Sequence, residues 1–229
     1  MLDEILNRGD GLDALRVAIA ALSCAVGAGY FAVLNREAGP LRTSVKTTSI
    51  LILAALPLTY LGTPNAPAVA LLLLALALAL SALGDFFLAL KDQARFFVPG
   101  LASFLAAHVA YILAFALHAS GISIAGIAVL MVALVAAGLL LARIAPELGR
   151  LRVPVIAYFA VIMTMVAASL SIAEASWVLP AGALIFALSD SLIAVRKFWT
   201  PFALINEAVW ITYIAAQFMI VASYLKLIL

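Results

Sequence analysis

Long apolar runs separated by short polar breaks fill this 229-residue chain. A helix needs about 20 mostly apolar residues to cross the hydrocarbon of a bilayer. Eight segments meet that length: Ala14–Leu34, Val45–Leu61, Ala66–Leu90, Phe97–His118, Ile122–Arg143, Val153–Ala173, Ser176–Val195 and Phe202–Leu227. The breaks carry residues that end helices or make turns, namely Gly39-Pro40, Gly62-Thr63-Pro64, Gly121, Pro146 with Gly149, Pro180 and Pro201. The pattern predicts an all-α membrane protein, a single eight-helix transmembrane domain over residues 1–229. The second span is short, and the third can shift by several residues.

Composition agrees. The chain is 67% hydrophobic and 10% charged, against about 25% charged in soluble domains, and its mean hydropathy is +1.24. No basic stripe or aromatic–basic alternation marks a nucleic-acid binder. Residues 1–13 hold four acids against Arg8 alone, unlike the basic start of a signal peptide. The first apolar run is therefore expected to be a retained helix. The lone Cys24 allows neither an internal disulfide nor a cysteine-based metal site.

Charge then orients the spans. Arg36, Arg42, Lys46, Lys91, Arg95, Arg143, Arg150, Arg152, Arg196 and Lys197 fall on one side, and only Arg8, Arg16 and Lys226 on the other. Positive loops stay cytoplasmic, so both termini are expected to be extracytoplasmic. The composition suits a multi-pass protein of a bacterial inner (cytoplasmic) membrane.

A ten-residue pattern occurs twice. Ala82-Leu83-Gly84-Asp85-Phe86-Phe87-Leu88-Ala89-Leu90-Lys91 aligns without gaps on Ala187-Leu188-Ser189-Asp190-Ser191-Leu192-Ile193-Ala194-Val195-Arg196. The two copies lie in the third and seventh spans, which run the same way. That spacing fits two four-helix halves related by an axis along the membrane normal. Each copy puts an aspartate inside a hydrocarbon-length helix, where a charge costs roughly 2.5–3.5 kcal/mol on insertion scales. Each aspartate precedes a basic residue by six positions, or about 9 Å of helix, so both are expected at one depth in the inner half of the bilayer.

Other polar residues share that layer. Lys46 opens the second span, followed by Thr47, Thr48 and Ser49; Tyr158 is one turn into the sixth; Asn206 and Glu207 begin the eighth. Ser81 is one turn from Asp85 on the same face. Asn206, Trp210, Tyr213 and Gln217 form an inward stripe, as do Phe104, His108, Tyr111 and Phe115 in the fourth span. The opposite half of the bilayer is nearly uniform Ala, Leu and Val. The sequence thus describes a polar pocket open to the cytoplasm beneath an apolar roof, a shape suited to a polar head and an acyl tail. Structural readings stand beside these. Lys46 can snorkel to the interface or pair with a carboxylate or phosphate, and His108 can bond a neighbouring carbonyl. Glu207 can simply favour a helix N-terminus, and Tyr213 and Gln217 can be interhelical hydrogen bonders.

At these residues the chain resembles the YhhN-type lysoplasmalogenase family, multi-pass membrane hydrolases. The matching pieces are Lys46 with its threonines, Ser81-Ala82-Leu83-Gly84-Asp85 with Leu88, and the Phe97…Gly100…Phe104…His108…Tyr111 spacing. Tyr158, Gly182 to Asp190, and Tyr213…Gln217 follow in family order. Thr47 stands where the family pattern leads one to expect proline. The resemblance implies an eight-helix fold and hydrolysis of the vinyl ether bond of lysoplasmalogen, giving a fatty aldehyde and a glycerophospho-ethanolamine or -choline.

Asp85 and Asp190 are then the expected catalytic pair, with no metal or cofactor. One carboxyl group protonates the alkene carbon; the other stabilises the oxocarbenium ion or accepts a proton from water, as in glycosidases. Ser189 and Ser191 beside Asp190 suit an anion, and Phe86 and Phe87 beside Asp85 suit an acid, although the sequence leaves that choice open. Lys46, Ser81, His108, Tyr111, Tyr158, Ser189, Asn206, Glu207 and Tyr213 are the expected substrate-binding residues. The expected partners are a lysophospholipid and the bilayer. The alternative is a proton-coupled membrane transporter using the paired aspartates, against which the unbroken helices around them count. An intramembrane aspartyl protease lacks its Tyr-Asp partner here, and a zinc hydrolase lacks its histidines.

Overall fold

The computed structural model describes residues 2–229 and is all-helical over them. Nine α-helices follow in chain order: α1 Leu2–Leu6, α2 Asp13–Gly29, α3 Pro40–Leu58, α4 Ala68–Ala89, α5 Gln93–Ala116, α6 Ile124–Ile144, α7 Arg152–Leu170, α8 Val178–Phe198 and α9 Ile205–Ile228. Helices α2 to α9 are the eight spans, each long and apolar enough to cross a membrane. The short α1 is not expected from the apolar pattern. Helix α3 begins at Pro40, five residues before the predicted Val45, with extended Gly39 as its cap and proline at its first position. Proline is pre-organised for that position, so the helix runs out past the apolar stretch that the sequence reveals. It continues unbroken through Thr47.

The chain divides into two compact units, one running up to Leu117 together with Val221–Leu229, the other His118–Ile220. In the first, α2 packs on α3, α3 on α4 and α4 on α5. Ser23 Oγ donates to the Ser49 carbonyl at 2.7 Å, and Ser49 Oγ returns to the Ser23 carbonyl at 3.0 Å, which ties α2 to α3 in the apolar layer. Helices α4 and α5 approach through glycine. A Cβ on Gly84 would lie 2.5–2.9 Å from the Phe104 ring, and one on Gly100 would lie 2.7 Å from Leu88. At the far end of α9, Tyr224 donates to the Ala114 carbonyl and meets Phe115 edge to face.

Arg16 is read from sequence as a flanking charge, yet it is fully buried. Its guanidinium binds both oxygens of Asp10 at 2.6 and 2.7 Å, contacts Asp13 at 3.3 Å, donates to Thr59, and lies 4.1 Å over the Tyr60 ring. The Tyr60 hydroxyl in turn donates to the Ile5 carbonyl, and burial raises its pKa above the ordinary tyrosine value. Lys226 closes on Glu4 at 2.6 Å. This knot fastens the N-terminal segment to the ends of α3 and α9.

In the second unit α6, α7 and α8 pack against one another around Ile144, Leu148, Val155, Phe159 and Ala194. Helix α6 buries only 6% of its most apolar window and has the highest mean hydropathy of the spans, 2.8. A helix that is apolar all round and unburied by protein has lipid as its solvent. Helix α9 packs on α8 where Gly182 brings the two close, its Cβ position lying 3.0 Å from Ile220 and Met219.

Two stability predictions follow. Gly84→Ala drives a methyl into the Phe104 ring, and the overpacking is expected to cost about 1–3 kcal/mol in reversible unfolding measurements. The Arg16 hydrogen bonds hold the Asp10 carboxyl below its ordinary pKa. A carboxyl lowered on folding stabilises above the ordinary carboxyl range, and its contribution is lost as pH falls through the lowered value. Asp10→Asn should therefore melt below the wild type at neutral pH, and the difference in melting temperature should close at strongly acid pH.

Candidate functional site

Helix α4 turns Leu83 and Phe86 outward and buries Ser81, Ala82, Gly84, Asp85 and Ala89. An ionised carboxylate on that buried face needs a counter-charge, and α3 supplies it: Lys46 Nζ is 2.8 Å from Asp85 Oδ1, with the lysine side chain 14% and the aspartate 1% exposed. The lysine therefore forms an internal ion pair rather than snorkelling to water. Ser81 Oγ is buried one turn away and has no hydrogen-bond partner among the described protein groups. On α5, Phe104, His108, Tyr111 and Phe115 are all buried. His108 Nδ1 lies 2.5 Å from the Phe104 carbonyl oxygen; a carbonyl only accepts, so Nδ1 is the donor in this contact. Tyr111 stacks on Phe115 at 5.9 Å.

The second copy of the pattern sits in the second unit with different partners. Asp190 is buried on α8, and the Tyr158 hydroxyl of α7 donates to its Oδ2 at 3.0 Å. The two serines beside it point elsewhere: Ser189 Oγ donates to the Val209 carbonyl on α9 at 3.0 Å, and Ser191 Oγ to the Ala187 carbonyl at 2.7 Å. Both are spent on backbone, so a phenol, not the neighbouring serines, is the hydroxyl at this carboxylate. The residue before each aspartate does the same job in its own unit. Gly84 admits the Phe104 ring of α5, and Ser189 holds α9.

On α9, Trp210, Tyr213 and Gln217 of the sequence-read stripe are buried and Asn206 is half-buried. Tyr213 packs edge to face with Phe186 at 5.5 Å and tilts against Trp210 at 5.7 Å. Asn206 Oδ1 accepts from Arg196 Nη1 at 2.9 Å, which locks the start of α9 to the end of α8. Glu207 is half-buried in the first turn of α9. The expected site residues thus fall into two sets, Lys46, Ser81, Asp85, His108 and Tyr111 in one unit, and Tyr158, Ser189, Asp190, Asn206, Glu207 and Tyr213 in the other.

One feature of the first unit is absent from the sequence reading. A cavity of about 540 Å³ opens where α3 begins and α4 ends, lined by Thr43, Ser44, Phe86, Leu90, Lys91 and Phe96 among others. Its signal in the sequence, a lysine after a paired phenylalanine and before another aromatic pair, is too common to single out. No three His, Cys, Asp or Glu side chains among the described residues gather to hold a metal ion.

Eight membrane spans, with one buried aspartate paired to an ammonium group and another to a phenol, define a multi-pass membrane protein. The sequence model of the YhhN family matches residues 41–224, and the chain belongs to that family. It is 34% identical over 150 residues to a lysoplasmalogenase of Mycobacterium bovis, covering 63% of this chain and 57% of the relative. It is 35% identical over 151 residues to human lysoplasmalogenase TMEM86B, covering 64% and 60%. With lysoplasmalogenase TMEM86A of Bos taurus it shares 36% over 152 residues, covering 62% and 61%. The chain spans about six-tenths of the length of these relatives. No solved structure matches it.

The ion pair makes a direct prediction. Lys46→Met strands a buried carboxylate, and removing one partner of such a pair costs about 3–5 kcal/mol. Lys46→Met with Asp85→Leu removes both charges and should recover most of that loss in the same unfolding assay.

Proposed function

We propose that this protein is a lysoplasmalogenase-like hydrolase that cleaves the vinyl ether bond of a lysoplasmalogen to a fatty aldehyde and a glycerophospho-head group. The observation that carries the reading is the pair of buried aspartates in unlike environments, one beside an ammonium group and one beside a phenol, in a chain of a family whose relatives are named lysoplasmalogenase. The substrate is an amphiphile dissolved in the same bilayer that solvates the eight spans. The basic loops orient the chain with both termini extracytoplasmic and the two aspartates toward the cytoplasm. In a bacterium that membrane is the inner one.

Hydrolysis starts when an acid delivers a proton to the second carbon of the alkenyl chain, with the π electrons forming the new C–H bond. The first carbon becomes an oxocarbenium ion. Water adds there and loses a proton, and the hemiacetal expels the glycerol oxygen as aldehyde forms. Two carboxyl functions suit this, one protonated and one ionised. Asp85 takes the anionic role because Lys46 is its direct counter-ion. The acid role then falls to Asp190, the other carboxyl of the pair, which stands beside the Tyr158 hydroxyl. This inverts the roles that the neighbouring residues in sequence favour, because Ser189 and Ser191 are turned to backbone carbonyls.

The purified protein is expected to release aldehyde from lysoplasmalogen and none from the saturated ether lysolipid, which cannot form the cation by protonation. Asp85→Asn and Asp190→Asn should each lower kcat by about 10²–10⁴-fold, the range for loss of a general acid or base, in protein that still unfolds cooperatively, at a lower temperature for Asp85→Asn because Lys46 loses its partner. Proton-coupled uptake into vesicles without aldehyde release would replace this reading with a transporter.

A further inference from the structure

We propose that Ser81 binds the attacking water against Asp85. The inference rests on the vinyl ether reading and assigns its nucleophile a place. Several hydroxyls inside these helices are spent in one of two ways, although Thr47 Oγ1 on α3 is, like Ser81 Oγ, buried without a partner among the described residues. Ser103, Thr164, Ser191 and Thr212 donate a hydrogen bond to the carbonyl four residues back, at 2.7–2.9 Å. Ser23, Ser49 and Ser189 donate across to the carbonyl of a neighbouring helix. Ser81 does neither. It is fully buried and its Oγ has no protein partner among the described residues, an arrangement that costs stability unless a small polar molecule completes it.

The place where Ser81 is unsatisfied is one turn from Asp85 on the buried face of α4. Residues at i and i+4 have their Cβ atoms about 5–6 Å apart. A hydroxyl and a carboxylate at that spacing supply the two polar partners that a buried water requires. Lys46 occupies Asp85 Oδ1 at 2.8 Å, and Oδ2 is equally shielded from solvent. Water held there donates one hydrogen to the Asp85 carboxylate and the other to Ser81 Oγ, which leaves an oxygen lone pair for the oxocarbenium carbon. As the C–O bond forms, the water proton passes to Asp85. The hemiacetal then gives up its hydroxyl proton, which restores the acid, and its C–O bond electrons leave with the glycerol oxygen, which takes the proton from Asp85 as aldehyde leaves. The sum is the addition of one water to the vinyl ether.

Steady-state kinetics on Ser81→Ala, together with product analysis in water–methanol mixtures, tests the proposal. The expected kcat loss is on the order of 100-fold, the scale of a misplaced reactant, with KM within about twofold of wild type because ground-state binding is untouched. The alanine also leaves room for a methyl group. Methanol should then trap the cation as a mixed acetal that keeps its head group, a product the wild type does not form. Ser81→Cys keeps the volume without the strong hydrogen bond and should show the same kcat loss, so it serves if the alanine variant does not fold. A wild-type kcat in either variant, a rise in KM alone, or no acetal from Ser81→Ala overturns the water site. Aldehyde release by the wild type in the same assay then keeps the parent reading standing, whereas a wild type that releases none ends both.

Discussion

Hydrocarbon offers no hydrogen bonds, so a polar group that enters the membrane layer needs a partner in the protein or in a small molecule the protein holds. That constraint organises this chain. Serines tie α2 to α3 and α8 to α9 through backbone carbonyls. A buried arginine is enclosed by Asp10, Asp13, Thr59 and the Tyr60 ring, at the point where the N-terminal segment meets the end of α3. The two intramembrane aspartates are matched to an ammonium group and a phenol. Satisfied groups of this kind fix helix register, because sliding a helix by one residue would break a bond that no solvent can replace.

Close packing sets where those groups can stand. Glycine at 84 lets the Phe104 ring settle on α4, and Gly100 admits Leu88, so α4 and α5 lie together along the length that carries Ser81 and Asp85. The same α5 turn holds His108 through the Phe104 carbonyl. A residue that serves packing thus also orients chemistry: Phe104 fills the groove beside Gly84 and fixes the imidazole one turn on. In the other unit the equivalent small residue, Ser189, uses its hydroxyl for helix attachment, which leaves Tyr158 as the group that addresses Asp190.

Much of the fold was legible. The eight apolar runs became α2 to α9 with boundaries shifted by a few residues, because apolar length is a property of the chain alone. Errors concentrate where a polar residue leaves the apolar pattern while remaining helical or buried. Helix α3 starts at Pro40, ahead of a stretch containing Arg42 and Lys46, and Arg16 belongs to the interior despite its charge. For the site, the doubled pattern singled out Asp85 and Asp190, and the fourth- and eighth-span stripes pointed inward as the period demands. The partners were less accessible. Lys46 had several outlets for its ammonium group, and Ser189 and Ser191 looked like companions of Asp190 only because they are its neighbours in sequence.

The sequence by itself determined the class of solvent, the number of spans, the two costly carboxyl groups and the family, since these follow from apolar length, residue type and order along the chain. Only the tertiary structure decided which group faces which: Lys46 on Asp85, Tyr158 on Asp190, Ser189 and Ser191 on backbone, and Ser81 on no group among the described residues. Those pairings depend on the rotation and register of one helix against the next, and that geometry is set by glycines, aromatic rings and carbonyls far apart in sequence.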